Sequence, residues 1–281
     1  MNTLKTIMLM GVLTAIIVSL GYFIGGRNGL TIAFIFAIAT NFGSYWFSAP
    51  MALAMNNAQP VSRDQIPQLY EIVERLAARA KMKVPDIYVI PTDAANAFAT
   101  GRDVNHAAVA VTEGIMRQLN WDELEGVLAH ELSHVRNGDI LITSIAACLA
   151  SVITMIAHWG MYFGSGSNDR ERGVNPIFGL ILMIVAPIAA MFIQLAISRS
   201  REFEADASGA RLCGKPNELA DALQDIEQSA QTRPMQTNPA YSSLYIVLPN
   251  PGGMFANLMS THPPTAERIR RLREMAQHPM Q

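Results

Sequence analysis

Residues 120–139 read NWDELEGVLAHELSHVRNGD, and the rest of the chain is organised around them. Asn120 stands where a helix N-cap is expected, with Glu123 at the N3 position of a capping box. Leu124, Val127, Leu128, Leu132 and Val135 then recur at helical spacing along one side. Inside this helix lies His130-Glu131-Leu132-Ser133-His134. Residues four apart on a helix lie one above the other, so both imidazoles can reach one metal ion. Glu131 projects toward the same point, where it can serve as a general base on water activated by the metal. Such a helix supplies two ligands, whereas a catalytic zinc usually takes three from the protein.

Half of the 281 residues are hydrophobic and 16% are charged, against roughly 25% charged in soluble chains. The apolar excess is concentrated in four charge-free runs, 6–26, 28–54, 140–168 and 173–198. Each supplies the ~20 residues needed to cross a bilayer as helix. The runs pair as two hairpins, the first turning at Arg27 and the second at Asp169-Arg170-Glu171-Arg172. A cleaved leader is the alternative for the first run, because Lys5 precedes an apolar core. The stretch after it lacks a small-x-small site, however, and a second apolar run follows at once. Tyr45, Trp46 and Phe47 suit a membrane interface.

The expected fold is mainly α: a four-span helical membrane protein with a cytoplasmic zincin-type metalloprotease domain carrying a small β-sheet. Residues 1–54 form the first hairpin and 55–139 a protease segment with the motif helix. Residues 140–198 form the second hairpin and 199–281 a further protease segment. Within the polar segments, 64–81 reads as an amphipathic helix with Leu69, Ile72, Val73 and Leu76 on one face. Strands are expected at 84–90, 94–101 and 107–112, helices at 200–212, 217–230 and 264–276, and a loop at 231–250. Arg268, Arg270, Arg271 and Arg273 read as a solvated or lipid-facing surface. A net charge of −2 without a polybasic arm gives no reason to expect nucleic acid. Cys148 and Cys213 fit a reducing compartment as small packing residues. His158 lies inside the third run and reads as locally hydrogen-bonded. Lys and Arg concentrate in 55–139 and 199–281, with Lys5 on the same side. The positive-inside rule then puts both termini and the motif helix in the cytoplasm of a multi-pass inner-membrane protein.

A third metal ligand should be a carboxylate or histidine on another element. Residues 199–206, RSREFEAD, offer Glu202, Glu204 and Asp206 at the mouth of the fourth run. Glu202 and Asp206 share a helix face and Glu204 does not. An inner carboxylate ligand with an outer Asp orienting a ligand histidine is the chemistry such a pair allows. An exposed charged turn, with Arg199 and Arg201 as partners, accounts for the same residues.

His130-Glu131-x-x-His134, followed beyond an apolar hairpin by Glu202-x-x-x-Asp206, resembles the HtpX family of membrane-integral zinc endopeptidases, relatives of the CAAX prenyl proteases. Asn96-Ala97-Phe98-Ala99-Thr100-Gly101 is similar to the family's segment before the motif helix. His262-Pro263-Pro264 and Arg268 match its C-terminal pattern. The resemblance covers essentially the whole chain. It implies one Zn2+ per subunit on His130, His134 and Glu202, with Glu131 catalytic. A tetrahedral oxyanion also needs stabilisation, for which His262 is the candidate and Arg268 a helper. The strand Asn96, Ala97, Phe98, Ala99, Thr100 can bind an extended substrate by edge pairing.

His134 lies roughly 9 Å from the third run at 1.5 Å per helical residue. A site so placed can reach loops and unfolded segments of membrane proteins. The expected function is therefore a zinc metalloendopeptidase cleaving misfolded or damaged membrane proteins near the cytoplasmic face. A catalytically silent metal-bound adaptor, or a transporter-like scaffold, is the alternative, against which the intact Glu131 argues.

Overall fold

The computed structural model describes residues 2–143, 145, 199–232, 246 and 263–277. Most of the second expected hairpin, with Cys148 and His158, most of the loop expected at 231–250, and His262 lie outside the described residues. Helix α1, Asn2–Met55, is two helices joined at a break where Gly25 and Gly26 leave helical geometry, Gly26 at φ 55°. The chain reverses there, two residues before the turn expected at Arg27. Across the hairpin the Asn41 side chain donates to Thr14 Oγ1 at 2.7 Å. Gly21 and Gly29 meet backbone to backbone, and a Cβ on Gly29 would stand 2.1 Å from the Gly21 carbonyl oxygen. Small residues at such a crossing let two apolar helices approach closely. Among the described residues no single helix is long and apolar enough to cross a membrane. The segments Gly25–Gly43 and Tyr45–Met55, bent by 63° relative to each other, together have the length and composition.

The next elements are β1 (Gln59–Pro60), α2 (Pro67–Ala80), β2 (Asp86–Ile90), β3 (Ala97–Gly101) and β4 (Ala107–Thr112). Then come α3 (Glu113–Gln118), α4 (Trp121–Asn137), α5 (Arg199–Cys213), α6 (Pro216–Thr232) and α7 (Thr265–Gln277). Helix α2 starts three residues later than expected because Pro67 disfavours helical geometry at Ile66, which sits at φ −139°. The β1 strand and α3 were not foreseen. One is only two residues long, and the other is a single turn and a half capped by Thr112, whose hydroxyl accepts from the Ile115 N–H.

The sheet runs β1-β2-β4-β3, with β2 and β4 parallel and the other pairs antiparallel. Alternation along the strands gives it two unlike faces. Ile87, Val89, Ala97, Ala99, Val109 and Val111 join the main core with α2, α4, α5, α6 and α7. Ile90, Phe98, Ala108 and Ala110 pack instead on Ala52 and Leu53, at the end of α1. Among the described strands β3 is an edge, and α4 lies against it over Ala97 and Ala99, whose small side chains permit the approach.

Candidate active site

The capping box at the start of α4 is complete. Asn120 Oδ1 accepts from the N–H groups of Asp122 and Glu123, and Glu123 Oε2 accepts from the Asn120 N–H at 2.9 Å. The helix ends at Gly138, at φ 72°, whose N–H reaches back to the carbonyls of His134 and Val135. A left-handed C-cap is the conformation glycine adopts without steric penalty. The chain turns helical again from 139, so Asp139 comes back beneath His134.

His130 and His134 bring their Nε2 atoms to 3.2 Å from each other. Glu202 Oε2 lies 3.7 Å from the first and Glu202 Oε1 3.5 Å from the second. On the far side of each ring stands a carboxylate. Asp206 Oδ1 is 2.9 Å from His130 Nδ1, and Asp139 Oδ2 is 3.3 Å from His134 Nδ1. Carboxylates in those places hold the protons on Nδ1, which leaves two Nε2 lone pairs facing each other across 3.2 Å. Without a metal a proton on His134 can lie between them, and with one both Nε2 atoms can bond to the same cation. Ligands at ~2.0–2.1 Å from a tetrahedral zinc would be about 3.3 Å apart, close to the separation found.

Charge points the same way. Among the described residues, Glu131, Asp139, Glu202 and Asp206 are buried together with two guanidiniums, Arg201 and Arg268, leaving two negative charges over. A divalent cation would balance them. Burial pushes Glu131 up to about 8, with the charge of Glu202 adding to the effect against the pull of His134. Burial works to lower His134, yet Glu202, Asp139 and Glu131 carry it up to about 9. Both shifts take up positive charge at the point where a metal would supply it. Burial depresses His130 in spite of Asp206. Asp206 itself is held down to about 2, burial being outweighed by Arg268. The donor set therefore fits a zinc-like ion.

The packing of α5 on α4 makes this possible. Glu202, Asp206 and Gly209 form one stripe at helical spacing, while Glu204 faces solvent. A Cβ at Gly209 would stand 2.7 Å from His130 N and 2.8 Å from His130 Cα, so the two backbones touch at the histidine. Arg268, on α7, overturns its assignment to an exposed basic surface. It is 1% exposed and grips Asp206 with Nε at 2.8 Å and Nη2 at 2.7 Å. Its Nη1 donates to the Ile246 carbonyl at 3.0 Å, so the guanidinium is already engaged on three sides. The neighbouring arginines do lie outside, on Glu267, Glu274, Asn217 and Asp221.

A family model of peptidase family M48 matches residues 62–276. The chain belongs to peptidase family M48. It is 50% identical over 280 residues to a protease HtpX homolog of Pelotomaculum thermopropionicum, covering 98% of this chain and 100% of the relative. A protease HtpX homolog of Pyrococcus furiosus is 50% identical over 276 residues, covering 97% and 95%. The crystal structure of S. mikatae Ste24p shares the fold at a TM-score of 0.52 and 20% identity, over 96% of this chain and 65% of that one. This M48 chain is therefore a metalloprotease, a hydrolase of peptide bonds. The family implies a metal, and the cluster His130, His134 and Glu202, with donor atoms all within 4.8 Å of one another, can hold one.

Four contributors to this M48 site escaped the sequence reading. Asp139 and Arg201 form a pair beside His134, with Nη1 and Oδ1 3.7 Å apart. Gly209 had no visible signal beyond its place seven residues after Glu202. Ile246 donates its N–H to Asn96 Oδ1 at 3.2 Å, tying the residue before β3 to Arg268. The polar residue at the mouth of an apolar run was the available signal for Asp139.

Proposed function

We propose that the chain is a membrane-integral zinc endopeptidase that cuts unfolded or misassembled membrane proteins near the cytoplasmic face. The observation that carries this reading is the convergence of His130, His134 and Glu202 beside Glu131 and against an edge strand. His130, His134 and Glu202 hold Zn2+, one per subunit. When bound, zinc supplies a Lewis acid that makes water a nucleophile at neutral pH and polarises the peptide carbonyl. Glu131 takes the proton from the attacking water and gives it to the leaving amine nitrogen. Its Oε2 accepts from the Ala99 N–H at 2.9 Å, which aims the carboxylate and sets it beside β3. An extended polypeptide added along Asn96–Thr100 would lie next to the base, its main chain gripped without demanding one sequence. The edge N–H of Ala97 is taken by Asn96 Oδ1 at 3.0 Å, so an incoming strand must displace that contact.

Asp206 acts through His130, and Arg268 acts through Asp206, as positioning residues. His262 remains the proposed stabiliser of the tetrahedral oxyanion. The long apolar hairpin α1, with Ile32, Ile35, Phe42 and Phe47 exposed on its surface, supports insertion in a bilayer. The distribution of Lys and Arg supports a cytoplasmic active site.

The test uses protein purified without metal in detergent, then given zinc and an unfolded polypeptide. Wild type should cleave it, and Glu131→Gln should bind zinc and lose at least ~10²-fold in rate. Equal cleavage by both would sink the mechanism. Glu202→Ala should lose bound zinc, and unchanged stoichiometry would transfer the third ligand to another group.

A further inference from the structure

The sheet face turned away from the metal site holds a cavity of about 470 Å³, between the last turns of α1 and strands β2 and β4. Its volume lies within the ~300–1,000 Å³ range usual for small-molecule sites. Small side chains in its lining, Ala49, Ala58 and Ala108, leave room for the hollow. Tyr45, Trp46 and Tyr88 line its walls, and Lys83, Arg102 and Asp86 bring charge to it. The Arg102 guanidinium sits 4.4 Å above the Trp46 ring, which holds it at the wall. Asp103 lies beside Arg102 at 3.6 Å and beside His106 Nδ1 at 2.8 Å.

Position and charge together select the occupant. Tyr45 and Trp46 stand in α1 just beyond the 63° bend that follows Gly43, and amphipathic rings of this kind settle at headgroup level. Phe42, 63% exposed, stacks on Trp46 at 5.9 Å and continues the apolar ridge away from the cavity. A wholly anionic headgroup is not what the cavity asks for. The lining offers the cations Lys83 and Arg102 together with the acid Asp86, while Asp103 stands behind Arg102 at 3.6 Å, so a ligand carrying both signs of charge fits better than one carrying only negative charge.

We propose that this cavity binds the headgroup of a glycerophospholipid with a phosphate and a primary ammonium, its acyl chains lying along the apolar surface of α1. The phosphate meets Arg102 and Lys83. The ammonium donates to Asp86 and rests against the aromatic walls, as cations do over ring faces. Because Tyr88 and Ala108 face away from the core that contains α4, the thickness of the sheet separates this site from Glu131. The lipid would fix the angle between the membrane hairpin and the sheet whose opposite edge receives substrate. This site rests on the membrane reading above.

The experiment uses the full-length zinc-loaded protein in detergent, stripped of lipid and re-supplied with phosphatidylethanolamine, phosphatidylglycerol, phosphatidylcholine or inorganic phosphate. Native mass spectrometry reads what is retained. Phosphatidylethanolamine should be held most tightly, and Arg102→Gln should weaken it roughly tenfold, as loss of a charge-assisted hydrogen bond does. Asp86→Asn should weaken phosphatidylethanolamine by a similar factor and bring phosphatidylglycerol level with it or ahead. Zinc content and Glu131-dependent cleavage retained in both variants show that they are folded. Equal retention of the lipids by wild type, or an unchanged preference in Asp86→Asn, would overturn the assignment. So would inorganic phosphate, or an unfolded polypeptide substrate, displacing the lipid. A chain that stays in solution without detergent would overturn the membrane reading as well, whereas one that inserts and cleaves but holds no lipid refutes this site alone.

Discussion

The two histidines of the motif are backed by the same chemistry built to different tolerances. Behind His130 stands Asp206 at 2.9 Å, itself gripped by Arg268 at 2.7 and 2.8 Å, with every member almost fully buried. Behind His134 stands Asp139 at 3.3 Å, with Arg201 a further 3.7 Å away, and His134 keeps 16% of its side-chain surface exposed. The first arm is assembled from three helices, α4, α5 and α7. The carboxylate of the second is local, set by the turn at Gly138 and carried by the first residue beyond it, with Arg201 of α5 at a longer distance. A buried carboxylate between an imidazole and a guanidinium fixes the ring and raises its basicity as a ligand. The looser arm lies where the chain leaves the site for its next apolar run. One histidine is held by the fold, the other by its neighbour in sequence.

Asp206→Ala should be the most damaging change at either arm. It strands the Arg268 guanidinium in the interior, and removing one partner of a buried ion pair costs about 3–5 kcal/mol. Zinc affinity should fall a further ~10–100-fold among molecules that still fold. Thermal unfolding and metal titration, run on the same preparation, check the two effects. A variant with wild-type melting would show that Arg268 finds another partner and that the arm is not load-sharing. Gly209→Ala attacks the same arm through packing. Its methyl group would press on the His130 backbone, and overpacking of this kind costs about 1–3 kcal/mol. The expected sign is a lower melting temperature with weakened zinc binding, although no polar group has been touched.

The tight arm was also the part least legible in sequence. The motif helix could be read from residues 120–138 alone because everything that defines it is local: the Asn120 cap, the apolar stripe and Gly138. The pairing of Glu202 with Asp206 followed from a four-residue spacing. Arg268 entered the site only through the family resemblance, because by pattern it stands in a run of arginines. Only the approach of α7 to α5 separates it from Arg270, Arg271 and Arg273. Gly209 carries no chemistry, and its role exists only at a helix contact. The strands at 84–90 and 107–112 were visible as apolar runs flanked by prolines or turn residues. The antiparallel pairing of β3 with β4 was not, since strand order is a non-local property. What sequence reveals here is what lies within about two helical turns, and what it conceals is which surfaces meet.

Asp139→Asn should have a smaller effect than either change to the tight arm. Asparagine can still accept from His134 Nδ1, so the tautomer is kept while the charge is lost. Zinc affinity should drop by no more than about tenfold, with the melting temperature nearly unchanged. A loss matching that of Asp206→Ala would erase the distinction between the arms.

The smallest effect is expected at Glu125, on the same helix as both histidines but remote from the metal cluster. Its carboxylate is 2% exposed and bonds to Lys215 at 2.6 Å and Arg75 at 2.9 Å, partners that are themselves partly in solvent. Burial raises this group, but the hydrogen bonds from Lys215 and Arg75 outweigh burial and leave it below its ordinary value of 4.5. The folded state thus binds the proton less readily than the unfolded state. The stabilisation is present above pH 4.5 and is lost as pH falls through the lowered folded value. Between pH 6 and pH 4, Glu125→Gln should therefore lose less melting temperature than wild type, by on the order of a few degrees. Both proteins shed zinc over the same range as the histidines protonate, and the difference between them removes that common part. Parallel decline of the two melting curves would mean that the Lys215 and Arg75 contacts give this carboxylate no net preference for its charged form. The acid sensitivity would then belong to the metal cluster alone.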